Sequence, residues 1–269
     1  MKRFLLKNLK IIIHNAKMSF EVLSTYRAAT LLKLFINAFM ILIYIFLWKA
    51  LYGENSVVNG YGLNELLLFI ILLRMLRTIY PFHISSMYGY MIKDGSIVSW
   101  LLKPTYVEIR LLSQAIGQAA YNSLFCCIPS LALVFIFVHI PPIPVTSYLI
   151  LFLWIISAFV FAFMLEINIG VMSYYTVSIW GINNFKATII AFLAGELLPL
   201  SFYPLRLYKI LELFPFASIY YIPISVFVGE YNGSLWMPLY ILWFSIVLFL
   251  GAYLILSKKM IKKIMVQGG

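Results

Sequence analysis

The residues best suited to chemistry in this sequence are a few ionisable groups inside long apolar stretches. Arg74 and Arg77 are three residues apart, so on a helix they share one face, and His83 follows them. Glu166 lies deep in a later apolar stretch and Glu196 near the end of another. Charges inside a membrane span usually face the protein interior, where they pair or contact a substrate. We favour a structural ion pair between Arg77 and Glu166 over a substrate contact.

The sequence does not predict a catalytic or metal-binding cluster. The histidines, His14, His83 and His139, are placed at different depths, and a conventional disulfide between the adjacent Cys126 and Cys127 is sterically excluded. The chain contains no Gly-Lys pair, so the P-loop that binds ATP phosphates is absent. We therefore expect a non-catalytic chain that holds no cofactor and no metal of its own.

The composition is that of a membrane protein. Hydrophobic residues make up 64% of the 269 residues and charged residues 11%, with a mean hydropathy of +0.98. No soluble domain of this length can bury so much apolar surface. A bilayer core of about 30 Å takes about 20 apolar residues per helix, which leaves room for six spans. We predict an all-α membrane protein whose second and third spans are kinked by Pro81 and Pro129. The six transmembrane helices, within a single domain over 28–269, are expected near 28–52, 64–90, 109–138, 147–177, 182–200 and 235–257.

Residues 1–27 have the pattern of an amphipathic helix. At helical spacing, one face is apolar and the opposite face is basic. The apolar face carries Leu5, Leu9, Ile12, Ile13, Ala16 and Phe20, and the basic face carries Lys7, Lys10, His14 and Lys17. Such a helix is typical of one that lies in the membrane interface. We predict a cytoplasmic interfacial helix that serves as an anchor or couples the protein to a cytoplasmic partner.

Lysine and arginine concentrate at sites that an even number of spans would place on one side of the membrane. These sites are the first 27 residues, residues 93–110, Lys186 and the tail from Lys258 to Lys263. The opposite side carries mainly acidic residues, namely Glu54, Glu65, Glu212 and Glu230. We predict a multi-pass protein of the cell membrane with both termini in the cytoplasm. The net charge of +11 then reflects this bias and attraction to anionic membrane lipid, and no nucleic-acid partner is expected.

The apolar segment 194–229 is interrupted by Pro199, Pro204, Pro215 and Pro223. Each proline removes a backbone donor and disfavours helix just before itself, so no continuous helix can cross the membrane here. Irregular backbone at membrane depth persists only where protein covers it or where it lines a cavity. We predict short re-entrant helices between spans five and six. The alternative is an outer loop that lies on lipid.

Two groups of residues also carry a family resemblance. The first group is Ala194-Gly195, Pro199-Leu200, Tyr203-Pro204, Phe214-Pro215-Phe216-Ala217, Tyr221-Ile222-Pro223 and Gly229. The second group is Ile92-Lys93-Asp94-Gly95 followed by Leu101-Leu102-Lys103-Pro104. On these residues the chain resembles the six-span, type-2 (ABC-2-like) permease subunits of ABC exporters, from Tyr26 to about Gly229. Lys93 and Lys103 occupy positions where the family usually has arginine. They keep the positive charge but lack the guanidinium group that binds an anion in a bidentate way.

The resemblance implies an assembly of several subunits. Two six-span permeases, this chain paired with itself or with a sister permease, would enclose a path for cargo. Two copies of a separate ATP-binding subunit would dock on the cytoplasmic side and hydrolyse ATP with magnesium. The cargo would be hydrophobic or amphipathic, such as a lipid, a peptide or a lipophilic cationic drug.

The resemblance also implies roles for two segments. The cytoplasmic connector 91–108 would couple to the ATPase, with Trp100 or Leu101 as the anchor; the alternative is a helix on the membrane surface. The segment 194–229 would form the outer gate, or its aromatic residues would be inert interface anchors. The coupling residues would be Ile92, Lys93, Asp94, Gly95, Val98, Trp100, Leu101, Lys103 and Pro104. The gate residues would be Gly195, Glu196, Pro199, Tyr203, Pro204, Phe214, Pro215, Phe216, Tyr221 and Pro223.

Two other functional classes remain as alternatives. A proton- or ion-coupled secondary transporter would use Glu166 or Glu196, although the chain of carboxylates and histidines that a proton relay needs is missing. A membrane-embedded enzyme or scaffold ranks last, because the sequence offers no catalytic cluster.

Overall fold

The chain folds almost entirely into helices. The computed structural model describes residues 2–53, 57–58, 60–138, 144–176, 178–231 and 233–267. The helices are α1 (Lys2–Thr25), α2 (Arg27–Tyr52), α3 (Leu63–Ile79), α4 (Ile84–Lys93), α5 (Ile97–Leu101), α6 (Val107–Asn122), α7 (Ile128–Phe137), α8 (Val145–Met172), α9 (Ile179–Leu193), α10 (Leu205–Glu212), α11 (Tyr221–Val228) and α12 (Trp236–Gln267). A short antiparallel hairpin, β1 (Val57–Val58) with β2 (Tyr61–Gly62), lies between α2 and α3. Glu54 and His139 lie outside the described residues, as do the side chains of Leu5, Lys7 and Lys263.

Five helical stretches among the described residues are long and apolar enough to cross a membrane. They are Arg27–Tyr52, Leu63–Lys93, Val107–Phe137, Val145–Tyr175 and Trp236–Lys262. The fifth predicted span, near 182–200, corresponds to α9, which has 15 residues. At 1.5 Å per residue it is about 22 Å long, less than the hydrocarbon core of about 30 Å. An all-α membrane fold is therefore confirmed, whereas a sixth full-length span is not.

The expected interruptions at Pro81 and Pro129 take two different forms. Tyr80, just before Pro81, is extended (φ −68°, ψ 145°), and the helix resumes only at α4. This follows from the steric clash that a proline makes with a helical residue before it. Near Pro129 the helix continues, but a π-helical turn over Ser123–Cys127 separates α6 from α7. The second span is thus broken into two helices, whereas the third continues with one π-helical turn.

The segment 194–229 consists of short helical pieces separated at its prolines. A 3₁₀ turn, Leu200–Phe202, begins directly after Pro199, and α10 begins directly after Pro204. Both prolines have extended backbone conformations, so neither helical piece continues from the residues before it. Pro223 is the third residue of α11, where its missing N–H would have had no intrahelical partner. The expected absence of a continuous helix is confirmed, and a re-entrant path through the bilayer stays a prediction.

Helix α8 lies at the centre of the packing, where it contacts α4, α11 and α12. Trp154, Ala158 and Phe161 are almost completely buried on it. Small residues allow close approach on the α4 side: a Cβ added at Gly170 would lie 2.8 Å from the ring of Tyr88. Such contacts are the usual means of helix association in membranes, where apolar burial alone gives little driving force.

The N-terminal helix α1 packs against α6. Ser19 Oγ donates to the carbonyl of Gln114 (3.2 Å), and Phe20 packs edge-on against Tyr121 with ring centroids 5.5 Å apart. Leu9 and Ile13, assigned above to the apolar face, remain more than half exposed. The helix therefore docks on the protein with part of its apolar surface and leaves the rest uncovered.

The close approach of α1 to α6 predicts a sensitive position at Gly117. A Cβ there would overlap the carbonyl oxygen of Ala16, so Gly117→Ala should push α1 away and lower stability by about 1–3 kcal/mol. The change would be measured as a lower Tm in detergent and faster proteolysis of α1. Gly251→Ala is the matched control, because a Cβ at Gly251 has no neighbour within 4 Å among the described residues. Equal behaviour of the two variants would contradict this packing.

Candidate functional site

Glu166 is the centre of a buried charge network. Its side chain is completely buried on α8. The Oε2 atom accepts a hydrogen bond from the backbone N–H of Ser85 at 2.8 Å, and Oε1 accepts one from Lys186 Nζ. Because Ser85 is the second residue of α4, the carboxylate satisfies a backbone donor at the end that the Pro81 break leaves free. Negative charge is also favourable at a helix N-terminus.

Lys186 completes this network from α9. Besides Glu166, its ammonium group donates to Ser85 Oγ (2.9 Å), Asn183 Oδ1 (2.9 Å) and the carbonyl of Phe82 (3.3 Å). The network therefore joins α4, α8 and α9. The predicted pairing of Arg77 with Glu166 is wrong, because Lys186 lies closer in the folded chain. Lys186, counted above among the basic residues that flank the spans, is in fact buried.

Arg77 pairs instead with Glu196. Arg77 is on α3, and Glu196 follows α9 at the start of the 194–229 segment, so the pair connects the second span to that segment. Arg74, one turn away, places its guanidinium 5.3 Å from the ring centre of Tyr44. Its Nε atom is buried and has no hydrogen-bond partner among the described residues.

A polar groove runs beside these charges. One cavity of about 350 Å³ opens next to Lys33, Arg74 and Arg77, and a second of about 430 Å³ lies between α1 and the connector. His83 and Gln118 line both cavities, so the two lie next to each other. Arg74 also lines a smaller pocket beside Glu196. We use the name "polar groove" for this series of three cavities. Across the described residues, no group of three or more His, Cys, Asp and Glu side chains could hold a metal.

The connector 91–108 contains a tight turn followed by one short helix. Gly95 has φ of 77°, which a residue with a Cβ adopts only with strain. The Asp94 carboxylate accepts from the Ser96 N–H at 2.9 Å. Hydrogen bonds from the hydroxyl and then the backbone N–H of Ser96 hold the pKa of Asp94 below its ordinary value. The turn thereby fixes the direction in which α5 leaves α4.

The predicted coupling residues differ in their exposure. Ile92, with Ile97 of the same connector, is buried against the bundle, whereas Val98 and Leu101 are exposed. Leu102, which was not among the predicted coupling residues, has 82% of its surface exposed. Its place in the Leu-Leu-Lys-Pro sequence was visible, but the direction of its side chain depends on how α5 packs.

Trp100, one of the two predicted anchors, is engaged within the chain. The Arg110 guanidinium lies 4.3 Å from the Trp100 ring centre, and its Nη2 donates to the Trp100 carbonyl. Lys103 Nζ lies 5.5 Å from the same ring. Stacking of this kind fixes the indole and ties α5 to α6.

The predicted gate residues also fall into different environments. Gly195, Pro199, Tyr221 and Pro223 are buried, whereas Pro204 and Phe214 are exposed. The remaining four, Glu196, Tyr203, Pro215 and Phe216, are half-buried. The aromatic rings contact the protein: Phe202 meets Trp48 with centroids 6.0 Å apart. Ser225 of α11 hydrogen-bonds Tyr61 of the hairpin at 2.9 Å. The segment is therefore attached to the end of the bundle where α2 ends and α3 begins.

The buried network predicts a characteristic double-mutant result. Lys186→Met leaves Glu166 as an unpaired buried charge and should cost about 3–5 kcal/mol of stability, seen as a lower Tm in detergent. The double variant Glu166→Gln with Lys186→Met removes both charges and should recover much of that loss. Lys209→Met, at an exposed lysine, is the control and should leave Tm unchanged. A double variant that is less stable than Lys186→Met would argue against a compensated pair.

Comparison with known proteins places the chain in a family. No curated protein matches it. The sequence model of a family described as ABC-2 family transporter protein matches residues 38–266, which include most of every described span and both segments discussed above. This confirms the resemblance to ABC-2-type permeases that the two groups of residues carried. The chain belongs to the ABC-2 family of transporter proteins.

Proposed function

We propose that this protein is the permease subunit of an ATP-driven exporter that moves a hydrophobic or amphipathic cargo. Family membership makes it the membrane component of a transporter. The observation that carries the finer assignment is the connector 91–108, which presents exposed apolar residues on a helix fixed by Arg110. An exposed leucine on a rigid support is typical of an anchor for another protein.

The connector is proposed to transmit movement from the ATPase to the spans. It is joined directly to α4 on one side and, through Arg110, to α6 on the other. At its far end α4 is capped by Glu166 of α8. A displacement of α5 would therefore move α4 as a unit against α8, a rigid-body change of the kind that couples subunit contacts to transport. Binding and hydrolysis of ATP with magnesium would take place in two copies of the partner subunit.

A second permease subunit is proposed to cover the polar groove. Lys33 is exposed on α2, and Arg77 keeps 49% of its side chain exposed within a membrane span. Charged groups at that depth are unfavourable against lipid tails and usually face protein or a water-filled cavity. A further copy of this chain or a sister permease would complete the path there. The basic residues at the connector end of the bundle support an orientation with both termini in the cytoplasm of the cell.

The segment 194–229 is proposed as the outer gate. Two contacts that attach the segment to the bundle support this proposal: Glu196 pairs with Arg77, and Ser225 hydrogen-bonds Tyr61. These contacts join the segment to α3 and to the hairpin before it, so a shift of the second span would displace the segment as well. The half-buried aromatic residues Tyr203 and Phe216 are the side chains best placed to respond.

The connector assignment predicts the effect of a single substitution. Leu102→Asp should abolish co-purification with the ATPase subunit, because a charge would replace an exposed apolar anchor. Leu102 is 82% exposed, so the permease itself should keep its Tm. Leu213→Asp, at a 58% exposed leucine in the 194–229 segment, is the matched control and should co-purify normally. Retention of the ATPase by a Leu102→Asp variant that also carries Leu101→Asp would rule out this docking site.

The energy source separates the proposal from an ion-coupled carrier. Glu166 and Glu196 each have a cationic partner, so neither is favoured as a carrier of protons. In cells that express the complete system, export should stop when ATP is depleted and continue in the presence of a proton ionophore. The opposite pattern would favour the ion-coupled alternative.

A further inference from the structure

The polar groove carries an excess of positive charge. Lys33, Arg74 and Arg77 line its central cavity, and Glu196 is the carboxylate beside them. Among the described residues, Glu196 neutralises Arg77, and neither Lys33 nor Arg74 has a carboxylate partner. Lys33 is held by a neutral group, Asn122 Oδ1, at 2.8 Å. Cations without a carboxylate partner favour an anionic ligand.

Arg74 also has hydrogen-bonding capacity that the described residues do not use. Its Nε is buried without a partner, while its guanidinium lies against Tyr44. Buried polar groups normally have a hydrogen-bond partner, and an arginine is suited to bidentate binding of phosphate or carboxylate. Arg74 also lines the central cavity, so an anion there would lie beside its guanidinium.

The positive character continues towards the connector. The cavity next to α1 is lined by Lys103 and Arg110, and it borders the central cavity at His83 and Gln118. An anionic group would therefore meet donors from the connector end as far as Arg74. Such an arrangement disfavours the lipophilic cationic drug that the family resemblance allowed, because its charge would be repelled in the central cavity and in the cavity next to α1.

One wall of the central cavity is apolar. Ile36 and Met40 of α2 line it, and both expose a large part of their surface to the outside of the molecule. The cavity is thus open at its side, next to helix faces that are suited to hydrocarbon. A polar headgroup could occupy the groove while an attached apolar tail stays beside α2.

We propose that the groove binds the anionic headgroup of an amphiphile, a phosphate or carboxylate group attached to a lipid-like tail, as the cargo. This inference rests on the proposed exporter function, because it names the class of cargo for that path. Lys33 and Arg74 contact the anion, and Ile36 and Met40 accompany the tail.

The test measures binding to the purified full chain without any ATPase. Native mass spectrometry in maltoside micelles would follow titration with dioleoylphosphatidylglycerol, which is anionic. Dioleoylphosphatidylcholine and a trimethylammonium lipid with the same tails are the matched neutral and cationic probes. The anionic lipid should bind at least about tenfold more tightly than either, since bonds between charged groups contribute this much or more.

Variants then locate the site. Lys33→Gln with Arg74→Gln should weaken binding of the anionic lipid at least about tenfold, and the amide introduced at the first position can still donate to Asn122. Lys49→Gln, on α2 but outside the groove, is the control and should bind normally. A Tm measurement on each variant confirms that it is folded. Equal binding of all three headgroups, or unchanged binding by the double variant, would overturn the proposal.

A third arm separates a lipid from a free anion. Glycerol 3-phosphate carries the anionic group without the tail and should bind far more weakly than the lipid. Binding of equal strength would overturn the amphiphile and indicate a soluble anion. Because no ATPase is present, these results do not depend on the co-purification test of the connector. Failure of headgroup selectivity and failure of the exporter proposal can therefore be told apart.

Discussion

The hydrogen bonds of Glu166 hold together a helix that the sequence breaks inside a span. Pro81 ends α3 and exposes the N-terminal backbone donors of α4. In water these groups would be solvated, but at membrane depth each unsatisfied donor costs several kcal/mol, roughly the energy of a lost hydrogen bond in hydrocarbon. Glu166 accepts from one of them, and Lys186 neutralises the carboxylate that does so. The carboxylate thus compensates for the free backbone donor, and the ammonium group compensates for the buried carboxylate.

The break at Pro81 divides the second span into α3 and α4, which lead to different parts of the molecule. Towards the connector, α4 leads into the turn at Gly95 and the exposed Leu102. Towards the hairpin, α3 carries Arg74 and Arg77 to the groove and to Glu196. The second span is therefore two helices with separate attachments, one to the proposed ATPase site and one to the proposed gate. In the proposed mechanism, their junction is the point at which a movement of one helix is transmitted to the other.

The sequence was most informative where one residue type has a strong local effect. Pro81, Pro199 and Pro204 interrupt the helical backbone through the steric and hydrogen-bonding effects of proline itself, so these breaks were predictable. The intramembrane charges were also recognisable as significant. Their pairing was not, because Lys186 near the start of an apolar stretch looks like a flanking basic residue until α9 packs on α4 and α8. The shortness of α9 was likewise hidden by the apolar residues that follow it.

Exposure along the connector was equally beyond prediction. Trp100 and Leu102 are both large and apolar, but Trp100 is half-buried against Arg110 of α6 whereas Leu102 is exposed. The groove depends on residues from several elements, and no local pattern brings Lys33, Arg74 and Gln118 together. Contacts of this range follow from the packing of whole helices.

The second span also constrains how the protein enters the membrane during synthesis. Its hydropathy of 1.6 is the lowest among the five described spans. Arg74 and Arg77 each add about 2.5–3.5 kcal/mol to the cost of insertion near a helix centre. Glu196, which pairs with Arg77, and Glu166 with Lys186, which serve the helix break, leave the ribosome much later. We therefore expect the second span to stay beside the translocation machinery, or beside the first span, until the fourth span and α9 arrive to form these contacts.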